Sequence, residues 1–313
     1  MDNLTHSLVG ALIGQAGLKK KTGLAMPALI IGANLPDVDA ACLFWLDGVE
    51  HLGFRRGITH GPPAMVLLPL ILAGLLWGFD RWQTKRGKRP EGRLPVSFKW
   101  LSLLSFVGCL THPALDWLNV YGIRLLEPFS SRWFYGDALF IIDVWLWALM
   151  GFATWFSLRR EKRGGEWQNP ARVAIAVALA YIGLNGVTSA FLPDPVRKGA
   201  ISIASPLPVV SFAREQISGE LNDWYYWHES AANWVPFVDT ETHCAWPTPQ
   251  ELETGGSQSQ AFLFWSRAPF AERAPDDSVL LRDARFYDPR ARDRFTVALP
   301  EVRCEPLPIS SEL

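Results

Sequence analysis

The chain has 313 residues, a hydrophobic share of 49% with 15 Trp, and a formal net charge of -1. That length admits two domains, and the near-neutral charge gives no reason to expect a nucleic-acid partner. Nearly all long apolar runs fall in residues 1–192, whereas 193–313 are rich in Pro, Arg, Asp and Glu with no comparable run. The expectation is a membrane domain over 1–192 and a polar domain over 193–313, divided at FLPDPVRKG.

In chain order, the first apolar run, 4–18, is about half a membrane long as a helix. It reads as re-entrant, or as a short helix within a bundle. It does not read as a cleaved secretory signal, because basic KKK follows the apolar stretch instead of preceding it. The next run, 24–46, contains NLPDVD. Two aspartates and Pro36 forbid a lipid-exposed span there but allow a helix broken inside a bundle. Segments 62–79, 100–118, 138–158 and 171–192 are each about long enough to cross the apolar core. The predicted fold is mainly α: a polytopic membrane helical bundle of about five to six helices. Beyond it, AISIASPLPVVSFA, NDWYYWHES, QAFLFWSRAPF, SVLLRDARFYD and DRFTVALPEV are separated by Pro, Gly and Asp. These runs predict a small, mostly antiparallel β domain. Its WYYW and FLFW clusters are read as sheet-face core in preference to an interfacial belt, and His228 and His243, lacking spaced partners, as structural.

Basic residues concentrate at KKK (19–21), RWQTKRGKRPEGR (81–93) with Lys99, and RREKR (159–163). Such clusters mark the cytoplasmic side, so residues 47–60, 119–137 and everything after 193 are expected on the other side. Cys244 and Cys304 both fall in that extracytoplasmic part and are candidates for a disulfide; Cys42 and Cys109 lie in apolar segments and read as core.

The unusual polar residues of the apolar half then fall at one depth. His6, Asp37, His112 and Asp143 stand 13 to 16 residues from their nearest basic flank, and His60 stands 21 from Arg81. On helices that is roughly 20 to 30 Å from the cytoplasmic face. Separate segments have no local reason to agree, which favours one shared site near the outer leaflet.

Within CLTHPALDWLN, His112 and Asp116 are four apart and project from one helix face, where they could hold one cation or form a buried hydrogen-bonded pair or proton relay. Asp37 and Asp39 add two carboxylates at the break made by Pro36; the alternative is a loop with solvated acids. Thr-His recurs at 4–6, 58–60 and 110–112, and each hydroxyl could fix its neighbour's tautomer through a carboxylate or the backbone. Three His with three Asp suit zinc first and manganese second, with one to three ions. No GxSxG-type nucleophile motif appears, so hydrolysis would rest on a metal-activated water. Arg55 and Arg56, just before His60, and Arg124 and Arg132 in the 119–137 loop are candidates for clamping an anionic substrate group or for interfacial anchoring. Asp143 is the candidate general base or ligand at the next span, and Asp137 a substrate-side residue or its helix cap.

The stretches LTHSLVG, NLPDVD, RRGITHG and THPALDWLNVYGIRLLEP stand in the order of a known pattern. Over roughly residues 1–150 the chain resembles the YdjM-like family of inner-membrane metal-dependent hydrolases, also labelled LexA-binding. The resemblance implies a metal role for His6, Asp37, Asp39, His60, His112 and Asp116, and an accessory role for Arg56. The chain departs from the pattern at Arg55, where the family has His, and at Gly61, where it has Ser. A more distant similarity, to zinc-dependent phospholipase C, implies phosphoester hydrolysis. The expected function is a membrane-embedded metal-dependent hydrolase that uses a metal-activated water on a phosphoester of a lipid or lipid-linked substrate at the outer leaflet. A divalent-cation or proton-coupled transporter and a non-catalytic membrane scaffold or regulator are the alternatives.

Overall fold

The computed structural model describes residues 1–191, 201–204, 214–228, 233–236, 241–287 and 292–306. The stretch proposed as the domain boundary, beyond Phe191, lies outside the described residues, as does most of SPLPVVSFA. Described contacts divide the chain into two compact units. The first holds Met1–Asp39 and Arg56–Ala190; the second joins Ala40–Arg55 to the residues from Arg214 onward. Residues 40–55, assigned by sequence to the membrane domain, thus cluster with the later chain.

The helices in chain order are α1 (Asn3–Gln15), α2 (Ala25–Asn34), α3 (His51–Phe54), α4 (Pro62–Lys85), α5 (Phe98–Trp117), α6 (Val144–Lys162), α7 (Gln168–Phe191), α8 (Pro249–Thr254) and α9 (Gly256–Trp265). Helix α1 is the short helix packed within the bundle. It starts at Asp2, whose carboxylate accepts from Leu4 N and Thr5 N at 3.0 and 3.1 Å. After α2 the chain tightens into a 3-10 run, Leu35–Phe44, where Pro36 supplies no N–H for an α-helical bond. Three stretches are long and apolar enough to cross a membrane: Ala25–Phe44, Pro62–Lys85 and Gln168–Ala190. The predicted spans 100–118 and 138–158 appear as α5 and α6, long enough at 20 and 19 residues but less apolar. Helix α5 turns Ser105, His112 and Asp116 inward, and α6 starts only at Val144 and ends in Arg159, Arg160 and Lys162.

In the first unit α2 is held between α1 and α5. A Cβ on Gly10 of α1 would fall 2.7 Å from Leu29 O, and one on Gly108 of α5 2.6 Å from the same carbonyl. Small residues that let backbones approach this closely are how helices associate where apolar burial drives little. One core cluster gathers Leu29, Leu72, Leu101 and Leu104. A second joins Leu12, Leu115, Leu146, Met150 and Ala174 of α1, α5, α6 and α7.

The second unit carries the expected small β region. Strands β1 (Ile201–Ala204), β2 (Arg214–Glu220), β3 (Asp223–His228) and β4 (Asn233–Pro236) form one sheet in that order. Strands β5 (Pro269–Arg273), β6 (Ser278–Asp283) and β7 (Val297–Arg303) form another, with β2–β3–β4 and β5–β6–β7 antiparallel. The stretch QAFLFW, read as a strand, is helical in α9. Phe262 and Trp265 are three apart, both fully buried, and that is helical spacing, not strand alternation. Trp265 stacks on Phe286 and Phe295 at 5.4 and 5.1 Å, so Phe262 and Trp265 of FLFW are core, on a helix, while Phe264 is exposed. Helix α3 docks here, with Gly53 against Ala261 of α9.

Asp283 and Arg285 form a fully buried ion pair at 2.8 Å. Burial pushes the Asp283 carboxyl up, but the guanidinium and the bonds from Ser266 and Arg285 hold it below the usual carboxylate range. Cys244 and Cys304 are joined in a disulfide with Cα atoms 5.1 Å apart, while Cys42 and Cys109 are free and buried.

Candidate metal centre

The first unit brings five of the sequence-selected residues to one buried point. Helix α1 supplies His6 one turn past its cap, and α5 supplies His112 and Asp116 from adjacent turns of one face. The 3-10 run after α2 supplies Asp37, and the short turn Ile58–His60 supplies His60. His112 Nε2 lies 3.4 Å from Asp116 Oδ2 and 3.7 Å from Asp37 Oδ1; His60 Nε2 lies 3.6 Å from Asp116 Oδ2, and His6 Nε2 3.5 Å from Asp116 Oδ1. The rings of His6 and His112 stack. Two sets, His6–Asp37–His112 and His60–His112–Asp116, each place one ligand atom per residue within 4.8 Å of the others.

The protein's own bonds decide which nitrogens face inward. His112 Nδ1 lies 2.7 Å from Ala33 O, so that nitrogen carries the proton and Nε2 presents a lone pair. Thr59 donates its hydroxyl proton to Asp39 Oδ2 at 3.0 Å, leaving its oxygen to accept from His60 Nδ1 at 3.0 Å. His60 Nε2 is then also a lone pair. Among the described residues, His60 Nε2, His112 Nε2, both nitrogens of His6 and Asp116 Oδ2 are buried without a hydrogen-bond partner. The His60 and His112 lone pairs turned toward Asp116 Oδ2 and Asp37 Oδ1 at 3.4 to 3.7 Å are costly unless a cation lies between them. Ligands about 2.0 to 2.1 Å from one tetrahedral ion stand roughly 3.3 Å apart, close to the spacings seen. The donor set therefore fits a divalent metal.

Asp116 has cationic neighbours already. The amino group of Met1 donates to Oδ1, and Arg56 Nε sits 3.1 Å from Oδ2. The Arg56 guanidinium is fixed by Asn119 Oδ1 and Gly122 O, each 3.1 Å from Nη1, and lies over the Tyr121 ring at 4.4 Å. Its backbone is left-handed, φ 56, an uncommon conformation for a non-glycine residue. It is held from both sides, by Arg56 N to Asp39 Oδ2 at 2.8 Å and by Arg124 N to Arg56 O at 3.0 Å.

Other sequence-selected residues serve differently. Asp39 ties down the 56–60 turn and orients His60, and it belongs to neither candidate ligand set. Asp143, expected as a base or ligand, is a correction. It caps α6, with Oδ1 accepting from Trp145 N and Leu146 N at 3.0 and 2.9 Å and Oδ2 from Tyr181 Oη at 2.9 Å. Its carboxylate is engaged in holding α6 and α7. Asp137, the residue suggested as that cap, precedes the helix by a further turn, with φ 47. Arg124 is buried and paired with Glu127 at 3.0 Å, so it braces the 119–137 loop. Arg132 is exposed over Phe134, and Arg55 falls in the second unit. Of the three Thr-His pairs only Thr59 touches its histidine. Thr5 bonds Asp2 and Thr111 bonds Gly108 O.

Sequence reasoning missed Asn119, Tyr121 and Glu127. Asn119 lies three residues past Asp116, just beyond the end of α5 and bridged to Leu139, close enough in sequence to Asp116 to have been suspected. Glu127 was not, because its carbonyl matters through one close approach: a Cβ on Gly61 would fall 1.9 Å from it. That contact accounts for glycine where the resembled pattern carries serine.

The chain is thus a mainly helical protein with three candidate membrane spans and a buried His/Asp cluster. The profile of the YdjM inner membrane protein family matches residues 1–192, and the chain belongs to that family. No curated protein and no solved structure matches the chain.

Proposed function

We propose that this protein is a membrane-embedded metal-dependent hydrolase acting on a phosphoester of a lipid or lipid-linked substrate. The observation that carries the reading is the convergence of the His60 and His112 Nε2 lone pairs on Asp116 Oδ2, with neither nitrogen given a hydrogen-bond partner by the protein. His6, His60, His112, Asp37 and Asp116 would hold the ion. Zinc suits the nitrogen and oxygen donors first and manganese second, and the two overlapping ligand sets allow for more than one ion. A divalent ion so held supplies a water that is nucleophilic at neutral pH and polarises the phosphoryl oxygen.

The chain's own residues do the rest. His60 and His112 are pre-oriented through Nδ1, which fixes their direction before any ligand arrives. Arg56, anchored through Nε and Nη1, places a fixed positive charge beside Asp116, where an anionic substrate group would be steadied. Asp37, at 9% exposure the more open of the two cluster carboxylates, would give one oxygen to the ion and keep the other to accept a proton, the role first expected of Asp143. The basic clusters at KKK, 81–93 and 159–163 support an extracytoplasmic side for the site and for the C-terminal domain, and the Cys244–Cys304 disulfide supports an oxidising compartment for that domain.

The test is metal content per chain by mass spectrometry of purified protein, wild type against the His112→Ala, Asp116→Ala double variant, followed by turnover assays on phospholipids and lipid-linked phosphates. Stoichiometric zinc or manganese that the double variant loses, with turnover lost alongside, is the expected result. No bound metal after supplementation would overturn the reading.

A further inference from the structure

A cavity of about 280 Å³ is walled by α1, α5, α6 and α7, and Thr5, Thr111 and Leu115 of its lining are the sequence neighbours of His6, His112 and Asp116. We propose that it receives one hydrocarbon chain of the substrate, with the head end at the level of the cluster and the tail running toward the basic flank of the bundle. This rests on the hydrolase reading and names the part of the substrate that gives it specificity: a single long alkyl, acyl or isoprenoid chain.

Three observations carry the inference. First, the wall offers water nothing. Among the described residues that line the cavity, the polar side chains are Thr5 and Thr111. Thr5 Oγ1 is taken by Asp2 Oδ2 and Trp147 Nε1 at 2.6 and 2.9 Å, and Thr111 Oγ1 donates to Gly108 O at 2.7 Å. A cavity without spare polar groups stays dry and favours an apolar occupant. Second, it opens to the side: Ala114 of α5 and Leu179 of α7 are its exposed lining residues, and α7 is one of the membrane-length helices. A chain can enter from the bilayer without crossing a polar surface. Third, its direction is fixed. One end is marked by Thr5, Leu118 and Ile182, within a turn of His6 and Asp116 on α1 and α5; the other is marked by Ile13, Met150 and Ile175. From Thr5 to Ile13 is about 12 Å along the helix. The volume lies near the small end of ligand pockets, enough for one chain and too little for two.

The test is photolabelling of the nanodisc-reconstituted protein with decyl phosphate carrying a diazirine either at the ω carbon or at C2, followed by peptide mapping. The ω probe should label the peptides holding Ile13, Met150 and Ile175, and the C2 probe those holding Thr5, Leu118 and Ile182. Competition by unlabelled alkyl phosphates should strengthen about fourfold per added methylene until the slot is full. Ala178→Phe, which fills the slot, should cut labelling at least tenfold while bound metal stays at the wild-type level. Ala114→Phe at the lip replaces it should Ala178→Phe fail to fold. Labelling spread over the outward face of α4, the reverse order of the two probes, or labelling indifferent to both fillings would overturn the proposal. Because labelling needs no turnover, the expected pattern in a protein that binds no metal would uphold the slot and sink the hydrolase. Metal and turnover without the pattern would do the opposite.

Discussion

His6 of α1 and His112 of α5 lie ring on ring, with centroids 3.8 Å apart and planes 14° from parallel. The stack fastens the two helices at the point where their nitrogens meet Asp116. Its packing and ligating roles separate by substitution. His6→Phe keeps a ring in the stack and removes the nitrogens, so the thermal midpoint should stay within a few degrees of wild type while zinc affinity falls more than about 100-fold, beyond the usual loss for an outer partner. His6→Ala should lose both. Equal zinc affinity in His6→Phe, measured by competition with a chromophoric chelator, would remove His6 from the ligand set.

Asp39 is expected to act through His60. Asp39→Asn keeps the shape but weakens the bonds to Arg56 N and Thr59 Oγ1, and it should lower zinc affinity by about 10 to 100-fold without abolishing binding. Complete loss at saturating zinc would make Asp39 a ligand in its own right.

Gly61 is fixed by the Glu127 carbonyl. Gly61→Ser, which restores the residue of the resembled pattern, drives a Cβ to 1.9 Å from that oxygen. An overpacking cost of about 1 to 3 kcal/mol is expected, read as a fall of several degrees in the unfolding midpoint. A midpoint unchanged from wild type would mean that the 119–137 loop yields freely.

The Cys244–Cys304 bond closes a loop of 60 residues. In the chain-entropy picture it contributes about 4 kcal/mol, so Cys304→Ser should unfold the second unit at a clearly lower denaturant concentration. In intact cells both cysteines should resist a thiol reagent until reduced. Free thiols in native protein would place that unit in a reducing compartment.

Acid should act on the Asp283–Arg285 pair. Because the folded carboxyl titrates below its unfolded value, the stability it contributes is fully present above roughly pH 4 and is lost as pH falls through the folded value. Asp283→Ala leaves Arg285 buried without its partner and should cost about 3 to 5 kcal/mol. Trp265 lies 4.6 Å from that guanidinium, so its fluorescence reports both effects. A pH profile identical in wild type and Asp283→Asn would exclude the pair as the acid-sensitive element.

What could be read from sequence was whatever is periodic or local. His112 and Asp116 share a face because a helix dictates it, and agreement of depth across segments gathered His6, Asp37 and His60 around them. The same depth argument wrongly admitted Asp143, since a carboxylate at a helix start and one aimed into a bundle look alike until the N–H groups it accepts are seen. FLFW misled for a related reason: a short apolar run carries no decisive period, and only the burial of Phe262 and Trp265 separates helix from strand. Gly61 against Glu127, and residues 40–55 against α9, are contacts between distant parts of the chain and leave no local trace.

That last arrangement bears on how the protein can be divided. Val49 and Leu52 are buried, at 4% and 0% exposure, in a unit most of whose residues come more than 160 positions later. A stop codon placed after α7 would therefore not release an intact module. It would strand the buried apolar side chains of the segment between the LPDVD and RRGITHG motifs, and the two halves are expected to be inherited, expressed and degraded as one piece.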